Sequence, residues 1–134
     1  MNATDTDLPR GAIDKERAAT VKKAISDAKF FHGYLSIDDT HKLLEENGDW
    51  LLRLQPMNGI DQIVLSVKWE NTPRHVIIAV DDRGYFGVDF MRFESINHLL
   101  WHYIEWHKAI TLAGGARLTR MIHKDPTVDR SDET

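Results

Sequence analysis

Apolar positions in this chain follow two rhythms, a two-residue alternation through its middle and a helical spacing on either side. Trp50 to Gln55 forms a dense Trp/Leu run, and Gln62 to Trp69 sets Ile63, Leu65, Val67 and Trp69 against polar partners. Arg74 to Val80 is continuously apolar from Val76 onward. These runs predict three strands, the densest of them covered on both faces. Pro56-Met57-Asn58-Gly59 and Glu70-Asn71-Thr72-Pro73 are turn segments of hairpin length. A further turn at Asp81-Asp82-Arg83-Gly84 leads into short strand pieces around Tyr85-Phe86 and Phe90. Before the strands, Ser36 with Asp39 three residues on marks a helix start. Leu35, Leu43 and Leu44 are expected to face inward, and Asn47-Gly48 to close the helix. After the strands, Ser95 caps a second helix with Ile96, Leu99, Leu100, Tyr103 and Ile104 on one stripe. Ala113-Gly114-Gly115 breaks the chain before a last short strand, Arg117 to Ile122. The order predicts an α+β fold: a central antiparallel sheet with one helix on each face.

The ends of the chain read differently. Residues 1–28 form a leader that is partly helical, with a weak stripe at Ile13, Val21, Ala24, Ile25 and Ala28. The folded domain is expected over 29–123, followed by a charged tail over 124–134. A length of 134 residues suits one domain, and 42% hydrophobic residues with four Trp suffice for a core. No apolar run is long enough to span a bilayer and no secretory signal leads the chain. With no cysteine there is neither a disulfide nor a thiolate metal site, which fits a reducing, cytoplasmic compartment. A net charge of −4 excludes broad nucleic-acid binding, which needs a basic face. Any anion must be held locally.

Arg53 is the candidate for holding one. A guanidinium stays charged and is rarely buried without a partner, yet it sits inside Gly48-Asp49-Trp50-Leu51-Leu52-Arg53-Leu54-Gln55 with no carboxylate near its position on the strand's apolar stretch. Either a distant Asp or Glu pairs with it, or an external anion does. In a three-strand meander His75 on the third strand can reach the same face. A Gly/Asn turn over Pro56 to Ile60 can offer backbone N–H groups as an anion nest. A planar guanidinium meets two phosphate oxygens in parallel. His98 and His102 stand four apart on the second helix, but no third ligand joins them in a metal pattern. Ser36, Ser66 and Ser95 lack any nucleophile–base context. No catalytic residue, metal or cofactor is expected, and seven His alone are a weak basis for a histidine-dependent hydrolase.

Phe31-His32-Gly33, the Gly48–Arg53 strand, Val64-Leu65-Ser66-Val67, Arg74-His75-Val76-Ile77-Ile78 and Phe93-Glu94-Ser95-Ile96 together resemble a Src-homology-2 (SH2) domain, the phosphotyrosine-binding module. The resemblance runs in order from about Phe30 to Ile122. Val64 to Trp69, Pro73-Arg74-His75, Ile77-Ile78 and the Gly114-Gly115-Ala116-Arg117-Leu118 segment are most similar to Fes/Fer-type non-receptor tyrosine kinases. The resemblance implies a non-catalytic module that binds tyrosine-phosphorylated proteins or peptides, with an adjacent kinase domain as a further candidate partner. It implies that Arg53 grips the phosphate, that His75 supports the pocket, and that Gln55 to Gly59 forms the phosphate-binding loop, with Gln55, Asn58 and Gly59 as contacts. Val76, Tyr85, Ile104 and Gly114 are the implied liners of a hydrophobic groove for residues after the phosphotyrosine. Three positions depart from the family pattern: Ile37 replaces a ring-gripping arginine, Gln55 a serine, and Ile77 a lysine, the last being aliphatic in Fes-like domains too. These departures raise a second reading, an SH2 fold with a weakened pocket that docks intramolecularly or to unphosphorylated partners.

Overall fold

A computed structural model describes residues 28–124. The expected helical leader stripe, apart from Ala28, and most of the charged tail lie outside the described residues, and Ala28 is not helical but packs against the core. Within them the chain runs β1 (Phe31–Tyr34), α1 (Ile37–Leu43), β2 (Asp49–Met57), β3 (Ile60–Trp69), β4 (Thr72–Val80), β5 (Phe86–Val88), β6 (Met91–Phe93) and α2 (Ile96–Glu105). A 3-10 turn at Thr111–Ala113 and β7 (Arg120–Met121) follow. The sheet is ordered β1 to β6 in sequence, with β7 also pairing to β2. Its centre is an antiparallel meander, while the short edge strands β1 and β7 join β2 in parallel.

Both helix starts are capped as the sequence predicts. Ser36 Oγ accepts from Asp39 N and Ser95 Oγ from His98 N, each at 3.0 Å. The end of α1 differs from the expectation. It closes at Leu44, not at Asn47-Gly48, and the Asp49 carboxylate then accepts from Glu45 N and Glu46 N. Arg120 binds the same carboxylate through Nε and Nη2, at 2.8 and 2.7 Å. Leu44 is buried, but Leu43 faces solvent, and Thr40 is the buried residue within the helix.

The pleat divides the interior in two. Trp50, Leu52, Leu54, Ile63, Leu65, Val67 and Ile78 face α2 and join Leu99, Leu100 and Tyr103 in the main apolar core. On the α1 side the buried set is smaller and partly polar: Leu51, Val64 and Leu44 lie there with Arg53, Ser66 and Thr40. That side is where a polar site can be housed, since its charges need not cross the main core. Trp101 and Trp106 are exposed on or just past α2, whereas Trp50 is 2% exposed. The last strand is shorter than the 117–122 run, being two residues long and preceded by buried Leu118. Phe90 is no strand residue; it and Asp89 form the β5–β6 turn with φ of 68° and 54°.

Candidate functional site

Arg53 is 1% exposed, and among the described residues no carboxylate pairs with it. Its donors go to neutral groups instead. Nε donates to Ser66 Oγ at 3.0 Å, while Nη1 donates to Gln55 Oε1 at 2.7 Å and to the Leu35 carbonyl at 3.3 Å. Nη2 reaches only His75 Nδ1, at a long 3.4 Å. A guanidinium has five N–H donors, so one Nη2 hydrogen has no partner among the described residues. Burial pulls the group below its ordinary pKa, although an arginine stays charged throughout the physiological range. The site therefore contains a desolvated cation without a counter-ion among the described residues.

Register explains the convergence. Arg53 pairs with Val64 and Val64 with Ile77, while Ser66 pairs with His75, so Arg53, Ser66 and His75 share the α1 face of the sheet. Ser66 Oγ lies 2.8 Å from His75 Nδ1. Arg53 Nη2, which can only donate, also points at His75 Nδ1, so Nδ1 is an acceptor without a hydrogen and the Ser66 hydroxyl donates to it. The His75 proton then sits on Nε2, which faces His41 Nε2 of α1 at 3.2 Å. The two rings stack with centroids 5.3 Å apart and planes 19° apart. Desolvation, then the Arg53 cation, then His41 lower the His75 pKa to about 4, although His75 is an exposed residue.

An open cleft of about 360 Å³ leads to Arg53 between the β1–α1 junction and the end of β2, lined by Tyr34, Leu35, Ile37, Gln55 and Pro56 among others. The Tyr34 hydroxyl donates to Asp61 near its mouth. Ile37 is 43% exposed on this rim, so the cleft wall there is apolar.

The structure brings Arg53, Gln55 and His75 together, but not Asn58 and Gly59. Strand β2 continues regularly to Met57, which pairs with Ile60, and Asn58-Gly59 is the two-residue turn between them. Both turn residues have positive φ, 54° and 80°, as a type I′ hairpin requires. At about 3.3 Å per residue the tip stands more than about 13 Å along the strand from Arg53. The expected loop of anion-binding amides is replaced by a ladder. Gln55 presents its side-chain oxygen to Arg53 Nη1.

The four groove candidates separate. Val76 is 4% exposed within the main core, because the pleat that turns His75 toward α1 turns Val76 toward α2. Ile104 packs partly buried against that core, and Tyr85 is exposed with its backbone N–H held by Asp81. Gly114 has φ 71°, and a Cβ there would stand 2.4 Å from Arg74 Nη1, so the Arg74 side chain lies across it. Asp89 fastens the β5–β6 turn to the 3-10 turn by accepting from Thr111 N and Leu112 N at 2.7 and 2.8 Å. Among the described residues no cluster of three or more potential ligands could hold a metal. His102 packs on the Phe93 and Tyr103 rings, and His32 Nε2 donates to the Ile122 carbonyl. Sequence reasoning missed Ser66 as the link between Arg53 and His75, and missed His41 and the Leu35 carbonyl altogether. Only the alternation of β3 carried a signal, for Ser66.

The family model for the SH2 domain matches residues 30–103. The chain is 33% identical over 108 residues to the tyrosine-protein kinase transforming protein Fps of avian sarcoma virus (strain PRCII), covering 81% of this chain and 20% of that protein. It is 32% identical over the same length to the Fps protein of Fujinami sarcoma virus, covering 12% of it. The chain thus spans a fifth or less of these curated relatives.

Proposed function

The chain belongs to the SH2 domain family, and from that premise we propose that Arg53, backed by Ser66 and His75, is the group that grips the phosphate of a tyrosine-phosphorylated partner. SH2 domains are phosphotyrosine-binding modules, and this chain has that fold. The single observation that carries the residue assignment is Arg53 itself: a cation 1% exposed, held by neutral acceptors, with no counter-ion among the described residues. Burying such a charge is costly unless an anion completes the site. A phosphate carries about −1.5 to −2 charges at neutral pH, enough to separate a modified from an unmodified tyrosine. Gln55 Oε1 holds the place of one phosphate oxygen on Nη1 until the ligand arrives, and its displacement frees the Nη1–Nη2 edge for a bidentate contact.

Because its relatives are named as tyrosine-protein kinases, we assign the domain to cytoplasmic tyrosine-kinase signalling, either as a regulatory domain beside a kinase or as an adaptor. No helix of the described residues is long and apolar enough to cross a membrane. An array of phosphotyrosine peptides and their unphosphorylated twins tests the assignment. Phosphorylated members should bind at least about 100-fold more tightly, the free energy of a bidentate charged contact. Equal affinity for both members of each pair refutes it.

A further inference from the structure

The departures at Ile37 and Ile77 leave the α1 rim and β4 without the cations that usually accompany the strand arginine. The structure holds basic groups at neither position, but it does hold a stacked pair of imidazoles beside Arg53. His41 lies four residues after Ile37, on the same face of α1. Side chains on a helix lean toward its N-terminus, which carries the His41 ring back over the site. We infer that His41 is a second phosphate-contacting group, and that ligand binding takes up one proton on the His41–His75 pair. This rests on the phosphotyrosine-binding reading above and adds to it a residue and a proton.

The geometry of the empty pair supplies the argument. With Nε2 atoms 3.2 Å apart, only one hydrogen fits between the rings. His75 Nδ1 accepts from Ser66, so His75 carries its proton on Nε2 and donates it to His41. His41 then carries its own proton on Nδ1. The pair holds two protons on four nitrogens, and the only nitrogens free of hydrogen are both already accepting. A third proton would set two N–H groups head to head or aim one at the Ser66–Arg53 link. In this arrangement a third proton has no acceptor left to point at.

The charges around it favour the same state. From β2 the Arg53 cation faces His75 and repels a proton, from β3 comes the neutral Ser66 hydroxyl, and from α1 comes His41. Asp39 on α1 pairs with Lys42 at 3.9 Å, and Asp38 shares their exposed turn. Lys68, on the same face of β3, is bound to the Glu45 carbonyl, while Arg74 points to the other face of β4 and pairs with Glu70. A phosphate dianion reverses the balance. It offsets Arg53, and an anion within hydrogen-bonding distance raises a histidine by about 1–3 pH units. The rings part, His41 takes a proton from solvent onto Nε2, and His41 and His75 each present an Nε2–H to phosphate oxygens. One proton is gained, and no bond other than hydrogen bonds changes.

Calorimetric titration of the full chain with a phosphotyrosine peptide selected from the array tests this. Run at pH 7.0 to 8.0 in buffers of different ionisation enthalpy, it reads the number of protons taken up directly. In this range phosphate, with its second pKa near 6, is already largely the dianion. The expected result is uptake of a large fraction of one proton at pH 7.0, with affinity falling up to about tenfold per pH unit as pH rises. In His41→Gln the uptake and the pH slope should both shrink, while a melting curve reports whether the variant stays folded. Tight binding by the wild-type chain without proton uptake, or uptake unchanged in His41→Gln, overturns the inference. Failure of every phosphopeptide to bind the wild-type chain would instead overturn the phosphotyrosine reading itself.

Discussion

Replacing Arg53 by methionine should separate binding from folding. Methionine keeps most of the aliphatic stem and removes the charge. In the native domain the guanidinium is desolvated and held only by Ser66, Gln55, the Leu35 carbonyl and a distant His75 nitrogen. No carboxylate among the described residues offsets the lost hydration. Removing an uncompensated buried charge relieves that cost. The opposing loss is of neutral hydrogen-bond partners: Ser66 can rotate to His75 and Gln55 can turn to the open cleft, leaving the Leu35 carbonyl at about 1–3 kcal/mol. The two effects nearly cancel, so the urea midpoint should stay within about 1 kcal/mol of wild type or rise. Binding behaves differently. Two charged hydrogen bonds to phosphate are each worth about 1.5–3 kcal/mol, so phosphopeptide affinity should fall by a factor of about 10² to 10⁴. Urea melts followed by tryptophan fluorescence, and peptide anisotropy titrations on the same samples, read both numbers. A variant destabilised by more than about 3 kcal/mol would show Arg53 to be a structural residue. Affinity within threefold of wild type would refute the phosphate role.

Three further perturbations bear on the same frame. Gln55→Ser removes the side-chain oxygen that occupies Arg53 Nη1 at 2.7 Å and puts a short hydroxyl in its place, so phosphopeptide affinity by calorimetry should rise several-fold, about 1 kcal/mol; a loss would mean that Gln55 turns and donates to the ligand. Folding stability should fall on acidification. His75 has a folded pKa of about 4 against an ordinary 6.5, so the unfolded chain binds more protons between those values. This contribution is complete above about pH 6.5 and is lost as pH falls toward 4. His32, lowered mainly by burial, adds in the same direction, and His75→Gln should flatten the urea midpoint between pH 7 and 5. Asp49→Ala deprives Glu45 N, Glu46 N and Arg120 of a shared carboxylate that is 1% exposed, and should cost about 2–3 kcal/mol in urea melts; an unchanged midpoint would show that solvent replaces it.

Much of the frame was legible because its signals are local. Ser36 and Ser95 cap helices through a hydroxyl that reaches three residues ahead, so the sequence shows the cap and its partner together. The alternation of Ile63, Leu65, Val67 and Trp69 gave β3 its core face, and both hairpins turn within the expected segments, at Asn58-Gly59 and Glu70-Asn71. Arg53 stood out because a permanent cation in an apolar strand needs an explanation wherever the strand lies. The site was less legible. Asn58-Gly59 suits an anion-binding turn by composition, but the same two residues are the preferred pair for a type I′ hairpin, and strand pairing up to Met57–Ile60 makes them the tip of one. Val76 faces α2, the side of the expected groove, because the pleat turns it opposite to His75, but its 4% exposure puts it within the core, a depth that its residue type alone does not show.

The sequence alone determined the order of elements and the presence of one permanent cation in an apolar strand, since composition, capping and periodicity act over a few residues, and its strand motifs carried the family resemblance. Only the tertiary structure decided what surrounds that cation. Ser66 lies 13 residues from Arg53, His75 is 22 away and the His41–His75 pair is separated by 34. Such contacts depend on strand register and on where α1 lies across the sheet, and a shift of one residue would turn each side chain to the opposite face.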